Sequence, residues 1–438
     1  MSEIFLPKEY EWVDLKNYQF KSALDCLLNE DDNVFIQAKA GCGKSLMINI
    51  FSAMKNNVVV LSTTGTTAMQ LSTDGIPAKT IHSFFQFPAI PLLREEDIYK
   101  LFGENRKIIE KTETLIIDEV SMLNAQVFDW IVKKLLYIRH GDLPRIILFG
   151  DVLQLPPVIS NEEIIQNYFR DNYGGKVMFF SSKAYKSLGF KMMTLNQSYR
   201  QKDETFADNI YSIGINSYDA GILKYFNQRV MTLNKYDSTH STYIYMSPTN
   251  ALVNKVNKNY IDALDSDEWK TYKIKKSANF PAGILDDEIT IKKGAQVMAT
   301  RNDLIEHKYA NGMIGTAIEV NDDNVVIEFE NGTIAPVHIS KYELMKPYLD
   351  KDGKIAYKVD SWAYQIDCKV CRAMTVHKSQ GKTFDNAYLA LTGWTPPGLV
   401  YVGLSRLTSL NGLGLSRPLY MSDIQIFKEA MDFLTQGV

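Results

Sequence analysis

Short apolar runs alternate with longer amphipathic stretches along the first third of the chain. Val34–Ile36, Val58–Ser62, the start of Thr114–Met122 and Arg145–Asp151 are dense in Val, Ile, Leu and Phe and too short for buried helices. Such runs read as strands of a parallel sheet covered on both faces. Helical spacing marks Leu15–Leu28, with Asp14 as its N-cap, the run after Lys44, and Ala125–Tyr137. Alternation of this kind from 33 to 151 predicts a doubly wound α/β domain. A second α/β unit starts near Phe190. Its pattern is a strand (Met192–Leu195), two helical stretches (Glu204–Ile215 and Tyr218–Asn227), a strand (Thr242–Pro248) and a helix opened by Thr249-Asn250. Residues from about 270 to 362 change character, with short alternating strands joined by Asn-Gly and Gly turns. They predict a small β-barrel-like insertion. The α/β pattern returns after Cys371, and a helix over Ser422–Leu434 closes the chain.

Composition narrows this picture only a little. At 438 residues the chain exceeds a single compact core. A net charge of −3 gives no general nucleic-acid signal, so any DNA groove must be a local basic surface. No apolar run is long enough to span a bilayer, and the N-terminus lacks a signal or transit pattern. A cytoplasmic protein without a membrane partner is expected. Four cysteines are too few for a disulfide framework in a chain of this length. Cys368 and Cys371 form a CxxC, but on a strand they face opposite sides and no second pair lies nearby.

The chemistry concentrates at predicted strand ends. Asn33–Ile50 reads as strand, small-residue loop (Ala40, Gly41, Cys42, Gly43) and helix start. Free N–H groups there suit an anion. Lys44 would reach the β- and γ-phosphates, and the Ser45 hydroxyl would sit on Mg²⁺. An ordinary Gly-rich turn is the alternative. Ala38 stands where the usual pattern opens with Gly, which is tolerable if its φ is negative. Asp118 and Glu119 end an apolar strand, and buried strands do not end in paired acids without a reason. One would order the metal and the other activate water. Gln154 could sense the γ-phosphate, and Gln19 could read adenine or simply lie on the surface. Thr63–Thr67 place hydroxyls at a strand end, and Lys79, His82, Phe84, Phe85 and Phe87 interleave charge with rings. That interleaving suits nucleic acid, with an aromatic core as the alternative. Arg200 and Arg406 sit at element junctions of the second unit, where arginines can stabilise a transferring phosphoryl group. The layout is that of a nucleotide cleft between two units.

The ordered motifs AKAGCGKS, TTGTTA, TIHSFF, IIDEVSM, GDVLQLPPV, NQSYRQKD, TVHKSQGKTFD and YVGLSRLTS resemble those of superfamily-one helicases. They look closest to the petite integration frequency (PIF) family, with phage Dda and RecD as more distant relatives. The resemblance covers roughly 15 to 415. It implies two RecA-like P-loop domains, 1–189 and 190–438. A small wedge insertion (about 84–110) would lie in the first and an SH3-like β-barrel insertion (about 270–362) in the second. It implies ATP and Mg²⁺ as cofactors and single-stranded and fork DNA as partners. Translocation would run 5′ to 3′, with a monomer as the basic motor. Gln19 would read adenine. Lys44 and Ser45 would hold phosphates and Mg²⁺, with Asp118 on the metal and Glu119 activating water. Gln154, Arg200 and Arg406 would contact the γ-phosphate, with Gly381 and Lys382 near it. Thr64, His82, Asn250, His377 and Ser379 would line the DNA track, and Phe87 and Pro88 would separate strands. Gly403 departs from the family's Ala, at a helix cost of about 1 kcal/mol at most. The absence of a long N-terminal extension suggests a bacterial or phage origin. An RNA helicase, a nucleotide-gated clamp and a metabolic P-loop kinase are the alternatives. G-quadruplex unwinding is a possibility by family analogy alone.

Overall fold

The computed structural model describes residues 4–436 except 14, 65–66, 69–70, 72–76, 89–91, 94, 102, 232–242, 283, 302, 304, 307, 310, 312, 353–354, 392 and 394. Asp14, Gly65 and Thr66 of the sequence reading therefore lie outside the described residues. The chain forms two compact units. The first comprises Met1–Tyr199, Leu344–Asp360 and Phe427–Val438; the second comprises Arg200–Glu343 and Ser361–Ile426.

The first unit is built on β1 (Val34–Ala38), β2 (Val58–Ser62), β3 (Ala78–Thr80), β4 (Thr114–Asp118), β5 (Arg145–Gly150) and β6 (Lys191–Leu195). Their order is β3-β2-β4-β5-β1-β6, every pair parallel. Alternate residues of one strand enter separate cores: Phe35 joins one cluster, Val34 and Ile36 the other. A sheet buried on both faces explains why its strands read as unbroken apolar runs. Because all strands run the same way, their C-terminal ends meet on one edge. That edge carries Lys39–Gly43, Thr63-Thr64, His82, Glu119, Asp151 and Asn196–Tyr199.

Three expectations about organisation are corrected here. The boundary at 189/190 falls instead at 199/200, because β6 pairs in register with β1 (Val34 with Lys191, Ala38 with Leu195). The C-terminal helix spans Lys428–Gln436 and belongs to the first unit. Phe433 stacks on Phe180 with centroids 4.0 Å apart, and the Glu429 carboxylate accepts from Val177 N–H (3.1 Å), Met178 N–H (3.3 Å) and the Ser181 hydroxyl. The first long helix runs Tyr18–Asn29, and its N-cap is Asn17, whose side chain accepts from Phe20 N–H at 3.1 Å.

The second unit has a parallel sheet of β7 (Ile244–Ser247), β17 (Ala373–Thr375), β18 (Ala387–Leu389) and β19 (Leu413–Leu415), in the order β17-β7-β18-β19. Between β7 and β17 lies the insertion. It holds β8 (Trp269–Lys273), β9 (Lys275–Lys276), β10 (Glu288–Lys292), β11 (Gln296–Ala299), β12 (Ile314–Val320), β13 (Asn324–Phe329), β14 (Ile334–Leu349), β15 (Ile355–Ile366) and β16 (Cys368–Val370). A curled sheet in the order β16-β11-β12-β13-β14-β15-β9 and the ribbon β10-β8 make the barrel-like insertion. Tyr260, Tyr272, Ile291, Val297, Val325, Ile327 and Val337 fill it. The tip of the β14–β15 hairpin, 344–360, groups with the first unit, and Lys358 there pairs with Glu104 at 2.8 Å. Cys368 and Cys371 are buried free thiols. Gly403 fits closely on β18: a Cβ there would lie 2.9 Å from Leu389 Cδ1, so the smaller residue permits the contact.

Candidate nucleotide site and nucleic-acid track

After Ala38 the chain leaves β1 and turns through two left-handed glycines, Gly41 (φ 79°) and Gly43 (φ 83°), before the helix Lys44–Met54. Ala38 is extended and outside the positive-φ residues, so the departure from Gly carries no backbone strain. The positive φ of Gly43 calls for glycine, and a Cβ there would also press on the Phe20 ring at 3.3 Å. The loop is held from β6 and the residues after it. Lys39 N–H donates to Leu195 O (3.2 Å), Tyr199 N–H to Gly41 O (2.9 Å) and the Ser198 hydroxyl to Ala40 O (3.1 Å). Ser45 is exposed on the first helical turn. Gln19 is half-buried, and its carbonyl accepts Asn196 N–H at 2.9 Å.

The acid pair faces this loop. Asp118 ends β4 and is buried, and Glu119 follows in a left-handed conformation at φ 54°. A non-glycine residue held there costs about 1–3 kcal/mol. Three contacts impose it. Asp118 Oδ1 accepts Glu119 N–H (2.8 Å), the Thr63 hydroxyl donates to Glu119 O (3.0 Å), and Lys44 Nζ donates to Glu119 Oε1 (2.9 Å). Gly150 makes room behind the turn, since a Cβ would meet Val120 Cγ2 at 2.9 Å. Lys44 is also 4.0 Å from Asp118. Burial works against the Lys44 ammonium, but Glu119, Asp118 and Asp151 hold its pKa above the ordinary value. Burial pushes the Asp118 carboxyl up, Lys44 opposes this and Glu119 adds to it.

Gln154 is buried beside them. Its amide N–H donates to Asp151 Oδ2 (3.2 Å). Asp151 Oδ1 accepts from Gln37 Nε2 (2.8 Å) and Leu153 N–H (3.2 Å), while Gln37 Oε1 accepts Val152 N–H (3.1 Å). One fully buried carboxylate thus aims the glutamine.

In the second unit Arg200 and Arg406 converge on Ser405. Arg200 Nη1 donates to its carbonyl (2.8 Å), and Arg406 Nη2 donates to its hydroxyl (2.8 Å). Arg406 is 1% exposed and also donates to Val402 O at 3.1 Å. Asn250 lies exposed on the first turn after β7, and His377 lies half-buried just after β17. β7 and β17 pair in parallel, so these two positions share one sheet edge. Lys382 is half-buried beside Asn311, its Nζ donating at 3.3 Å, and burial with nearby Lys369 lowers its pKa to about 8. Gly381 is exposed at φ 78°. Ser379 differs from expectation: it is fully buried, with its hydroxyl turned inward onto Val376 O at 2.7 Å. In the first unit β2 pairs with β3, which brings the ends carrying Thr64 and His82 together. Phe87 is corrected from strand separator to core residue. It is 6% exposed, stacks on Phe85 at 5.5 Å and lies under the Lys134 ammonium at 4.8 Å. Pro88 is half-buried.

The family model for PIF1-like helicases matches residues 16–222, which span the loop, the acid pair, Gln154 and Arg200. Over that span the chain is similar to PIF1-like helicases. The ATP-dependent DNA helicase Pif1 of Bdellovibrio bacteriovorus is 27% identical over 409 residues, covering 90% of this chain and 86% of that one. A Bacteroides Pif1 solved with ADP-AlF4 is 27% identical with a TM-score of 0.86, covering 97% of each chain. A Bacteroides Pif1 bound to ssDNA is 26% identical with a TM-score of 0.68 and the same coverage. The architecture is that of these PIF1-like helicases: RecA-like α/β domains with a barrel-like insertion.

Three residues of this site had no individual role assigned from the sequence: Asp151 and Thr63, inside the motifs GDVLQLPPV and TTGTTA, and Gln37, outside any motif. Asp151 holds Gln154 and Thr63 holds Glu119 through one hydrogen bond each, and Gln37 holds the 151–152 turn through two. Asp151 carried a signal, since like Asp118 it follows a buried apolar strand with an acid. Thr63 carried one as a hydroxyl at a strand end, though its partner Glu119 did not show; Gln37 carried none, because its partners Asp151 and Val152 are distant in sequence.

Proposed function

We propose that this chain is an ATP-dependent DNA helicase that moves 5′ to 3′ along single-stranded DNA and opens the duplex ahead. The observation that carries the reading is the Lys44–Glu119–Asp118 group, its carboxylate Asp118 buried and the other two half-buried, set against a left-handed glycine loop at a helix start. Lys44 is poised to exchange Glu119 for a phosphate, which frees the Glu119 carboxylate to take a proton from water. The Ser45 hydroxyl and the Asp118 carboxylate are hard oxygen donors and fit Mg²⁺, which such sites bind with few protein ligands plus phosphates. Bound there, Mg²⁺ would supply charge neutralisation on the phosphates. Gln154 orients around the γ-phosphate under the control of Asp151. Arg200 and Arg406 are assigned to the charge on the transferring group, and Gln19 to the base. Arg406 must leave its buried hydrogen bonds to do so. Thr64, His82, Asn250 and His377, at strand ends of their respective sheets, are assigned to the DNA backbone and bases. The motor is proposed to work as a monomer.

Steady-state ATP hydrolysis measured with and without single-stranded DNA tests this reading. Hydrolysis should rise strongly with single-stranded DNA and less with RNA. A rate indifferent to nucleic acid refutes it.

A further inference from the structure

The helix Ala125–Ile138 leaves the turn that follows the acid pair, and its polar residues grip the small helical insertion by that insertion's backbone. Gln126, fully buried, spans Leu93: its Oε1 accepts Leu93 N–H and its Nε2 donates to Leu93 O, both at 3.2 Å. Two turns on, Lys134 is fully buried. Its ammonium donates to Phe85 O (2.6 Å), Asp97 O (3.1 Å) and Lys100 O (3.1 Å) and lies 4.8 Å from the Phe87 ring. At the helix end, Arg139 Nη1 reaches Ile109 O (2.9 Å), Glu110 O (3.0 Å) and Thr112 O (2.9 Å).

The targets share a physical property. Phe85 ends the helix Ile81–Phe85, Asp97 and Lys100 lie at the end of Glu95–Tyr99, and Ile109 to Thr112 end Glu104–Lys111. Last-turn carbonyls have no intrahelical partner and carry partial negative charge. Three short helices therefore end on two cations borne by one helix. An ammonium has three donors, and Lys134 uses them on three carbonyls. The hydrogen bonds of this grip go to backbone carbonyls and amides, with the Phe87 ring and the Asp97 carboxylate as side-chain neighbours of Lys134.

We propose that Lys134 is a positioning residue that locks the helical insertion to the helix behind the acid pair, so that the ATP cycle is transmitted to strand separation. This rests on the helicase reading and on the wedge role that the family resemblance implies for 84–110. Burial pushes the Lys134 ammonium down to about 8, against the opposing pull of Asp97. The charged groups facing it are Asp97 and Lys100, themselves paired at 3.4 Å, and Lys133 on its own helix lies over the Trp130 ring at 4.9 Å. As pH rises past this value the amine keeps only two N–H donors for three carbonyls.

The test uses the full chain, wild type and Lys134→Met, which keeps most of the stem volume. Single-turnover opening of a forked DNA duplex is compared with single-strand-stimulated ATP hydrolysis. Unwinding should fall about tenfold, because buried carbonyls lose their donor, while kcat and KM for ATP stay within about twofold. In the wild type the ratio of unwinding to hydrolysis should fall between about pH 7 and pH 9; in Lys134→Met it should be flat. Equal unwinding by both proteins, or a proportional loss of unwinding and hydrolysis, overturns the proposal. A wild type that hydrolyses ATP without opening the fork refutes the helicase reading and the proposal with it.

Discussion

Glu119→Gln separates nucleotide binding from hydrolysis, and the structure sets the direction of both. Lys44 and Glu119 are 2.9 Å apart with side chains 11% and 13% exposed. At an effective dielectric near 20, the Coulomb attraction at that distance is about 6 kcal/mol. Desolvation of the two groups offsets most of this and leaves roughly 1–2 kcal/mol. An incoming phosphate must replace that interaction to engage Lys44. Gln at 119 removes the competing charge but keeps the shape of the turn, including the Thr63 and Asp118 hydrogen bonds to the 119 backbone. Nucleotide should then bind about 5- to 30-fold more tightly, the equivalent of that energy. Hydrolysis should fall about 100-fold or more, the usual cost of removing a general base. Equilibrium titration with a fluorescent ATP analogue, beside a steady-state phosphate-release assay, reads both quantities. Weaker nucleotide binding in Glu119→Gln would refute the claim that Lys44 is held in reserve by Glu119. Retained hydrolysis would refute the assignment of Glu119 as base.

Asp151→Asn places an amide donor against either Gln37 Nε2 or Gln154 Nε2, so one of these hydrogen bonds is lost. Stimulated kcat should drop about tenfold with little change in KM for ATP, as one charge-assisted hydrogen bond is worth roughly that much. A raised KM with unchanged kcat would contradict a role confined to aiming Gln154. Gly412→Ala puts a Cβ 1.7 Å from Asp385 O, a clash with backbone that no side-chain movement relieves. The second unit should lose about 3 kcal/mol, lowering its thermal midpoint by roughly 10 °C. A midpoint within a degree of wild type would contradict the packing of Gly412 against Asp385. Removing the two carboxylate oxygens that accept three hydrogen bonds, Glu429→Ala should destabilise the first unit by about 1–3 kcal/mol in urea unfolding, leaving the second unchanged.

Most strands of the motor sheets were legible because burial on two faces writes an unbroken apolar run, as in Val34–Ile36 and Ile146–Phe149; Ala78–Thr80, with only Ala78 buried, was not. The phosphate loop and acid pair were legible because charge at the end of such a run has few structural explanations. Partner choice was not legible. Lys191–Leu195 looks like a strand, but nothing local says that it pairs with Val34–Ala38 rather than opening a new sheet. The C-terminal helix shows its apolar face, but its partner Phe180 lies some 250 positions away. Phe87 misled for a related reason. Rings beside Lys and His suit base stacking, yet Phe84, Phe85 and Phe87 all turn inward, and the cation above Phe87 comes from Lys134. Arg406 was found by its motif, but its burial against Ser405 and Val402 could come only from the folded chain.

The central claim is that chemistry at Lys44 and Glu119 drives directional strand separation. Opening of forked DNA duplexes with either a 5′ or a 3′ single-stranded tail, by wild type and Glu119→Gln with ATP, tests it most directly. Efficient opening of the 5′-tailed fork by the wild type alone is the predicted result. Opening by Glu119→Gln, or equal opening of both forks, would contradict it.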